Sequence, residues 1–426
     1  MMRKKIVVIG AGYVGLDLAI AFSKKYNVIC YDISKKRIQK LKRGLDSNKQ
    51  HIKKKILNKN LIFTDQELSI KNSEIYIVTV PTPIDENKHP NLKMLKEASI
   101  LVAKSIKKKS IIIYESTTYP GCTEEFCIPI IEKNSNFIFQ KDFNVAYSPE
   151  RVNPGDKINT LNRITKIVGA NDKHTLLQVT KLYKSICKSI YQVKSIKISE
   201  SAKVIENVQR DINIALVNEL GILFQKLNIP TNDVLKAASS KWNFHYYKPG
   251  LVGGHCIGVD PYYLTYKAQS VNYSPQVILS GRRINDNMGR YVARDLLKHI
   301  LQLNLKPSAT KILILGLTFK EDCPDVRNSK VFDIYHELEN FGYSPQIYDP
   351  FVKTHPDKKI NKNLIISFED IKTYNVLIFA VAHKEFKKLT SLQLSKILNN
   401  NQSIIYDVKS IFYKKKFVKK YNYHFL

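Results

Sequence analysis

"VVIGAGYVG" occupies residues 7–15, and its reading decides the fold. A β-branched run passes straight into Gly10, Gly12 and Gly15, the GxGxxG spacing, and the pattern turns helical from about Tyr13 to Tyr26. Strand, glycine turn and helix in that order make the phosphate cradle of a doubly wound α/β domain. The first glycine allows the tight turn, the second lets backbone approach a pyrophosphate, and the third lets helix and strand pack closely. The helix N-terminus adds its partial positive charge. Asp32 closes the next strand-like segment, "NVICYD". A carboxylate there accepts from both ribose hydroxyls and repels a 2′-phosphate, so NAD is expected over NADP. Lys35, Lys36 and Arg37 follow closely and offset part of that discrimination.

Working outward, "EIYIVTVPTP" and "SIIIYESTT" continue the alternation of strands and helices, which implies a parallel sheet covered by helices. A long helical pattern runs from about Ser199 to Leu227, with Ile205, Val208, Ile212, Ala215 and Leu216 recurring on one face. From Ala309 a second β-α-β rhythm runs through "KILILGLTFK", "PQIYDP", "NVLIFAVAH" and "SIIYDVKS". At 426 residues the chain exceeds a single core. The expected architecture is α/β, with a Rossmann-like NAD domain over 1–195, a central helical domain over 196–305 and a second Rossmann-like domain over 306–426.

The formal net charge of +31 raises nucleic acid or an anionic membrane as partners. The lysines are spread along the chain with no arginine-rich stripe and no aromatic RNA-binding signature, so neither partner is expected. A general lysine bias together with an anionic substrate accounts for the charge. No run of eighteen apolar residues occurs, and "MMRKK" leads directly into "IVVIG" without a cleavage site; a cytoplasmic protein is expected. The six cysteines contain no CxxC pair, which argues against a zinc site or a disulfide framework.

Several polar groups sit where a structural role does not require them. "VPTP" (80–83) and "ESTTYPG" (115–121) follow the expected third and fourth strands, where an open parallel sheet has its ligand crevice. Thr117 can reach into that crevice. "YSPERVNPGDK" puts Glu150 and Arg151 on a loop, and Lys203, Asn207 and Arg210 form an i, i+4, i+7 stripe on the long helix. A solvated face usually explains such a stripe, but asparagine is a poor helix former in mid-helix. "KPGLVGGHCIGVDPYYL" carries Cys256 and Asp260 behind Gly253 and Gly254, and "TFKEDCPDVRNS" carries Lys320 and Arg327.

Taken together, "GAGYVG", "PTP", "ESTTYPG", "SPERVNPG", "GGHCIGVDP" and "TFKEDCPDVRNS" resemble the nucleotide-sugar 6-dehydrogenase family, enzymes similar to UDP-glucose dehydrogenase, over essentially the whole chain. "GLVGGHCIGVDPYYLTYKA" looks like the branch acting on UDP-N-acetylhexosamines, of the Vi-antigen type. The UDP-glucose branch usually has a lysine before the aspartate, and the UDP-N-acetylmannosamine branch usually has proline in place of Gly258.

The resemblance implies a C-terminal UDP-binding domain and oxidation of a primary alcohol to a carboxylate. That chemistry removes four electrons and uses two NAD+. Cys256 would capture the aldehyde as a thiohemiacetal and pass through a thioester that water hydrolyses; cysteine suits this because it is nucleophilic near neutral pH. Lys203 would stabilise the oxyanion, with Asn207 helping to hold it. Thr117 and Asp260 would position or deprotonate a water and Glu150 would assist hydrolysis, although Asp260 and Glu150 can exchange the role of base. Gly10, Gly12, Tyr13, Val14, Gly15, Asp32, Arg37, Thr82 and Thr117 would surround NAD. Glu150, Arg151, Lys203, Asn207, Arg210, Gly253, His255, Lys320 and Arg327 would meet the UDP-sugar, and no metal is implied.

Two other readings compete. A two-electron β-hydroxyacid dehydrogenase of the 6-phosphogluconate type gives Cys256 no task and does not explain the second sheet. A non-catalytic NAD-binding regulator would tolerate loss of Cys256, Lys203 and Asp260, yet all three stand in their motifs. By resemblance the long helix builds a homodimer, or an assembly of dimers, and the product feeds a cell-envelope polysaccharide.

Overall fold

The computed structural model describes residues 4–47, 51–150, 160–254, 256–355 and 357–426. The chain divides into two compact units, one made of Met1–Glu206 with Tyr262–Ser274, the other of Asn207–Pro261 with Pro275–Leu426.

In the first unit eight strands form one sheet: β1 (Lys5–Ile9), β2 (Asn27–Tyr31), β3 (Leu61–Thr64), β4 (Ile75–Val78), β5 (Ser110–Tyr114), β6 (Phe143–Tyr147), β7 (Thr165–Ala170) and β8 (Ser189–Val193). Their order is β3-β2-β1-β4-β5-β6-β7-β8. All neighbours are parallel except β6 and β7, which pair antiparallel through Ala146 with Ala170 and Tyr147 with Gly169. The central strands are near-continuous Ile and Val because helices cover both faces; Ile6, Val8, Ile77 and Ile113 pack with Leu16, Ala19 and Phe22 of the helix Tyr13–Ser23 in the core. That helix stops short of the expected Tyr26. The N–H groups of Lys25 and Tyr26 both turn back to the Phe22 carbonyl, freeing Asn27 to enter β2.

The second unit has a six-stranded parallel sheet of β9 (Ile312–Leu315), β10 (Gln346–Tyr348), β11 (Leu364–Ile365), β12 (Val376–Phe379), β13 (Ile404–Asp407) and β14 (Asn422–Phe425), in the order β11-β10-β9-β12-β13-β14. Six strands of each unit thus follow the same crossover order, the strand directly after the first lying on one side and the fourth on the other. Leu296 and Ile300, from the helix Gln276–Gln302, join Ile312, Ile314, Ile334, Leu338 and Ile378 in this unit's core.

The long helix is Ile196–Lys226. Its apolar stripe does not all face the core: Val208 and Ala215 are buried, whereas Ile205 and Leu216 are 54% and 53% exposed. At about 100° per residue the five positions span a wide sector, and the core covers only one edge of it. Ile198, Ile205, Leu216, Leu223 and Leu227 line the other edge, all exposed.

Candidate active site

Within the first unit, the turn after β1 bends at Gly10, whose φ of +102° belongs to glycine. A Cβ on Gly15 would lie 1.8 Å from the Gly10 carbonyl oxygen, so this glycine is what lets helix and turn touch. A Cβ on Gly12 would meet nothing within 4 Å, so its face is open for a ligand. Tyr13 and Val14 follow half-buried at the helix start. Asp32, directly after β2, is half-buried; its Oδ2 accepts from Ala11 N–H at 2.7 Å and its Oδ1 from Ser34 N–H at 2.8 Å. Arg37 donates from Nε to the Ala11 carbonyl at 3.0 Å and pairs with Asp46 at 2.8 Å. Two tight glycines, one open glycine and a carboxylate at the end of the second strand fit an NAD pyrophosphate and adenosine ribose.

The loops after β4 and β5 are tied to each other. Thr82 Oγ1 donates to the Thr117 carbonyl at 2.7 Å, Ser116 Oγ to Val80 O at 2.7 Å, and Tyr263 OH to Thr82 O at 2.8 Å. Beneath them lies Glu200 of the long helix, fully buried. It accepts from Thr118 Oγ1 at 3.2 Å, Gly121 N–H at 2.5 Å, Thr123 N–H at 2.9 Å and Thr123 Oγ1 at 2.7 Å. Burial raises its carboxyl above the ordinary range even though these donors pull the other way. Glu200 therefore anchors the Thr117 loop to the helix that carries Lys203 three residues later. Lys203 is 5% exposed and Glu150 8% exposed, both in this unit.

Within the second unit, Asn207 and Asp260 are each 1% exposed, and the Asn207 side-chain amide donates to Asp260 Oδ2. A sequence separation of 53 residues closes to one hydrogen bond. Cys256 is exposed, and its carbonyl accepts from Val259 N–H at 3.0 Å and Asp260 N–H at 2.8 Å. That tight turn fixes the acid relative to the thiol-bearing residue. A Cβ on Gly253 would stand 2.5 Å from the Asn328 carbonyl and one on Gly254 2.7 Å from the Phe319 ring, so the cysteine loop lies flat on the 319–329 segment. Asn328 Nδ2 donates to the Gly254 carbonyl at 3.2 Å. Arg327, on that same segment, forks onto Asp325 at 2.6 to 3.1 Å while its side chain stays 53% exposed; Lys320 is half-buried, as is Arg210 of the long helix. Arg151 and His255 lie outside the described residues.

The second sheet repeats the first in its opening turn and then departs from it. Gly316 has φ +99° and donates to the Tyr348 carbonyl at 2.8 Å, as Gly10 does to Tyr31 at 2.8 Å. Asp349 stands where Asp32 stands, accepting from Leu317 N–H at 2.6 Å. However, Asp349 is fully buried and bonded to His383 Nε2 at 3.1 Å, and threonine (Thr318) takes the place of the second glycine. His383 Nδ1 accepts from Asp322 N–H at 2.9 Å, which puts the ring proton on Nε2, toward Asp349. Burial pushes the Asp349 carboxyl up, but His383 and the backbone donors prevail and hold it below the ordinary range. This carboxylate cannot serve a ribose. Glu115, Lys166, Glu200 and the Asp349–His383 pair are not singled out by sequence reasoning, because a charged residue in or beside a strand, or on a helix as Glu200 is, looks like a solvated position until its partners are known.

Two dinucleotide-type sheets, only one with an open phosphate turn, and a cysteine loop backed by a buried Asn–Asp pair define a dehydrogenase of nucleotide-linked substrates. Consistent with this, the NAD binding, central and UDP binding domains of the UDP-glucose/GDP-mannose dehydrogenase family match residues 4–187, 197–287 and 313–414. Protein CapL of Staphylococcus aureus is 46% identical and the UDP-N-acetyl-D-glucosamine 6-dehydrogenase of Salmonella typhi 45% identical, each alignment covering 96% of both chains. The solved structure of the UDP-D-ManNAc dehydrogenase of Pyrococcus horikoshii superposes with a TM-score of 0.89 at 29% identity, covering 99% of this chain and 98% of that one. The chain belongs to the UDP-glucose/GDP-mannose dehydrogenase family and is an NAD-dependent UDP-sugar 6-dehydrogenase. No helix among the described residues is long and apolar enough to cross a membrane.

Proposed function

We propose that the protein oxidises the C6 hydroxymethyl of a UDP-N-acetylhexosamine, UDP-GlcNAc or UDP-GalNAc, to the uronate through a thioester on Cys256. The observation that carries this reading is the pairing of Asn207 with Asp260 beside the Cys256 turn, and its substrate is supported by the 45% identical Salmonella typhi relative. When bound, NAD accepts a hydride from C6 in each of two oxidations.

The remaining chemistry falls to side chains. Lys203 is a buried cation able to stabilise an alkoxide that forms only on the way to the aldehyde. Asp260, held by Asn207, or Thr117 orients the water that takes the alcohol proton. Cys256 thiolate adds to the aldehyde, and the second oxidation leaves the acyl–sulfur bond. Glu150 then assists water in cleaving it. Lys320, Arg327, Arg210, Gly253, Arg151 and His255 are assigned to the nucleotide-sugar, Arg327 by its planar fork. Gly10, Gly12, Tyr13, Val14, Gly15, Asp32, Arg37, Thr82 and Thr117 are assigned to NAD. The functional boundaries proposed are 1–195, 196–305 and 306–426.

The exposed row Ile198, Ile205, Leu216, Leu223 and Leu227 supports a homodimer, or an assembly of dimers, built on the long helix; the location proposed is the cytoplasm and the role proposed is supply of a cell-envelope polysaccharide. A monomer by light scattering at micromolar concentration would remove that part.

The test of the activity is NADH formed per sugar consumed, with limiting UDP-GlcNAc, UDP-GalNAc, UDP-ManNAc and UDP-glucose in parallel. Two NADH per sugar with an N-acetylhexosamine of the gluco or galacto series is expected. One NADH per sugar refutes the Cys256 thioester, and a preference for UDP-ManNAc or UDP-glucose refutes the substrate.

A further inference from the structure

A buried charge cluster in the first unit meets the mechanism above at Glu150, while its other members, Lys166 and Glu115, have no part in it. Lys166, in β7, is 1% exposed, and its ammonium reaches Glu115 Oε2 at 2.6 Å, the Pro149 carbonyl at 3.1 Å and Glu150 Oε2 at 3.4 Å. Three ammonium protons thus meet three acceptors. Glu115, directly after β5 and 3% exposed, accepts on its other oxygen from Tyr183 OH. The Tyr183 ring stands 5.0 Å from the ammonium. Cys187 also bears on the cluster, and burial pushes its thiol up to about 12, so it stays neutral.

Such a cluster is expensive to fold. Desolvating each ion costs several kcal/mol, and apolar side chains of similar volume would fill the space without that cost. The arrangement therefore calls for a reason beyond stability. Lys166 holds both the backbone of Pro149 and the side chain of Glu150, so it fixes the direction of the acid assigned to hydrolysis, while Glu115 supplies the counter-charge that keeps the lysine an ammonium.

We propose that Lys166, paired with Glu115, is a positioning residue for the reaction: it orients Glu150 for the step in which water cleaves the Cys256 thioester. The inference rests on the assignment of Glu150 to that step. There the water oxygen bonds to the acyl carbon, the carbon–sulfur bond breaks with its electron pair leaving on Cys256 as thiolate, and the water proton passes to the Glu150 carboxylate. Burial raises Glu115 to about 7, with Lys166 pulling it down and Glu150 pushing it up. For Lys166, burial favours the neutral amine, but the charges of Glu115 and Glu150 prevail and its pKa is raised. The cluster accordingly keeps its ammonium.

The experiment compares Lys166→Met, Glu115→Gln and Glu150→Gln in the full-length enzyme with NAD+ and UDP-GlcNAc. It reads the pH profile of kcat and, by intact mass after acid quench, the fraction of protein carrying a sugar-acyl adduct. Lys166→Met leaves two carboxylates facing each other without a cation, which moves the acidic limb up by roughly one pH unit; the adduct accumulates and KM for the sugar stays within about twofold of wild type. Glu115→Gln leaves Glu150 as the lysine's one carboxylate partner in the cluster and moves the limb down. Opposite movements identify electrostatic positioning, because a packing role would depress both variants without shifting either limb. Unmoved limbs, or limbs moving the same way, with Glu150→Gln slowed and loaded with adduct, overturn the proposal. A Glu150→Gln enzyme that turns over normally without adduct overturns the underlying assignment of Glu150 instead. Should Lys166→Met fail to fold, the downward shift in Glu115→Gln carries the test, and an unmoved limb there overturns it.

Discussion

Gly12 and Gly15 are three residues apart in one motif, yet the structure assigns them opposite consequences on substitution. Alanine at 15 places a methyl 1.8 Å from the Gly10 carbonyl oxygen and 2.5 Å from Thr79 Oγ1. Ordinary contact needs roughly 3.4 Å, so the helix Tyr13–Ser23 must move off the sheet by more than 1 Å, and overpacking of this severity costs about 3 kcal/mol or more. In a unit of this size each kcal/mol is worth roughly 2–4 °C, so the melting transition should fall by about 6–12 °C. Alanine at 12 meets no protein atom and keeps an extended backbone, φ −75° and ψ −157°. Its melting temperature should stay within about 2 °C of wild type. Its methyl instead stands where the pyrophosphate would approach, and losing one charge-assisted hydrogen bond of about 1.5–3 kcal/mol raises KM for NAD some 10- to 150-fold. Differential scanning calorimetry and NAD titration on both variants read the two effects separately. A stable Gly15→Ala protein, or a Gly12→Ala protein with wild-type NAD affinity, would refute the division of labour.

Glu200→Gln exchanges one of the two carboxylate oxygens for a donor that faces donors already bonded there. A loss of about 2–4 kcal/mol is expected by calorimetry, together with lower kcat because the Thr117 loop is released; a change below about 0.5 kcal/mol would show that the loop holds itself. Arg282 pairs with Asp211 at 2.6 Å, both buried, and Arg282→Met alone should cost about 3–5 kcal/mol, most of it recovered in Arg282→Met/Asp211→Leu; a double variant as unstable as the single one would contradict this. His424, stacked on His299 with ring centroids 3.5 Å apart, is lowered to about 4 by burial and then by its neighbour's charge. Because the unfolded chain binds the proton more readily, stability present above pH 6.5 is lost as pH falls toward 4, by up to about 3 kcal/mol. Melting curves of His424→Phe should lack most of that acid loss, and an unchanged pH slope would count against it.

Periodicity gave the strands well, because buried parallel strands must be apolar on both faces: "KIVVIG", "NVICYD", "KILILG" and "NVLIFA" all became strands of the two sheets. The glycine turn and its aspartate were legible for the same reason, being demanded by local backbone geometry. Partners distant in sequence were not. That Asn207 meets Asp260, and that Lys166 meets Glu115 and Glu150, depends on how strands and loops return, which no local pattern encodes. The long helix shows the intermediate case: its apolar stripe was visible, but which edge of it the protein's own core covers was not.

Asp349 and its histidine bear on how one chain keeps two look-alike cradles from answering to the same molecule. Had Gly10 and Gly316 been followed by equivalent loops, a saturating coenzyme would compete with the sugar nucleotide for the second sheet, and every rise in NAD would slow the enzyme that consumes it. Threonine in place of the second glycine, and a carboxylate already committed to His383 and the Leu317 amide, make the second cradle deaf to the coenzyme. The second cradle keeps the bend of the first while its key acid is bound to its own walls.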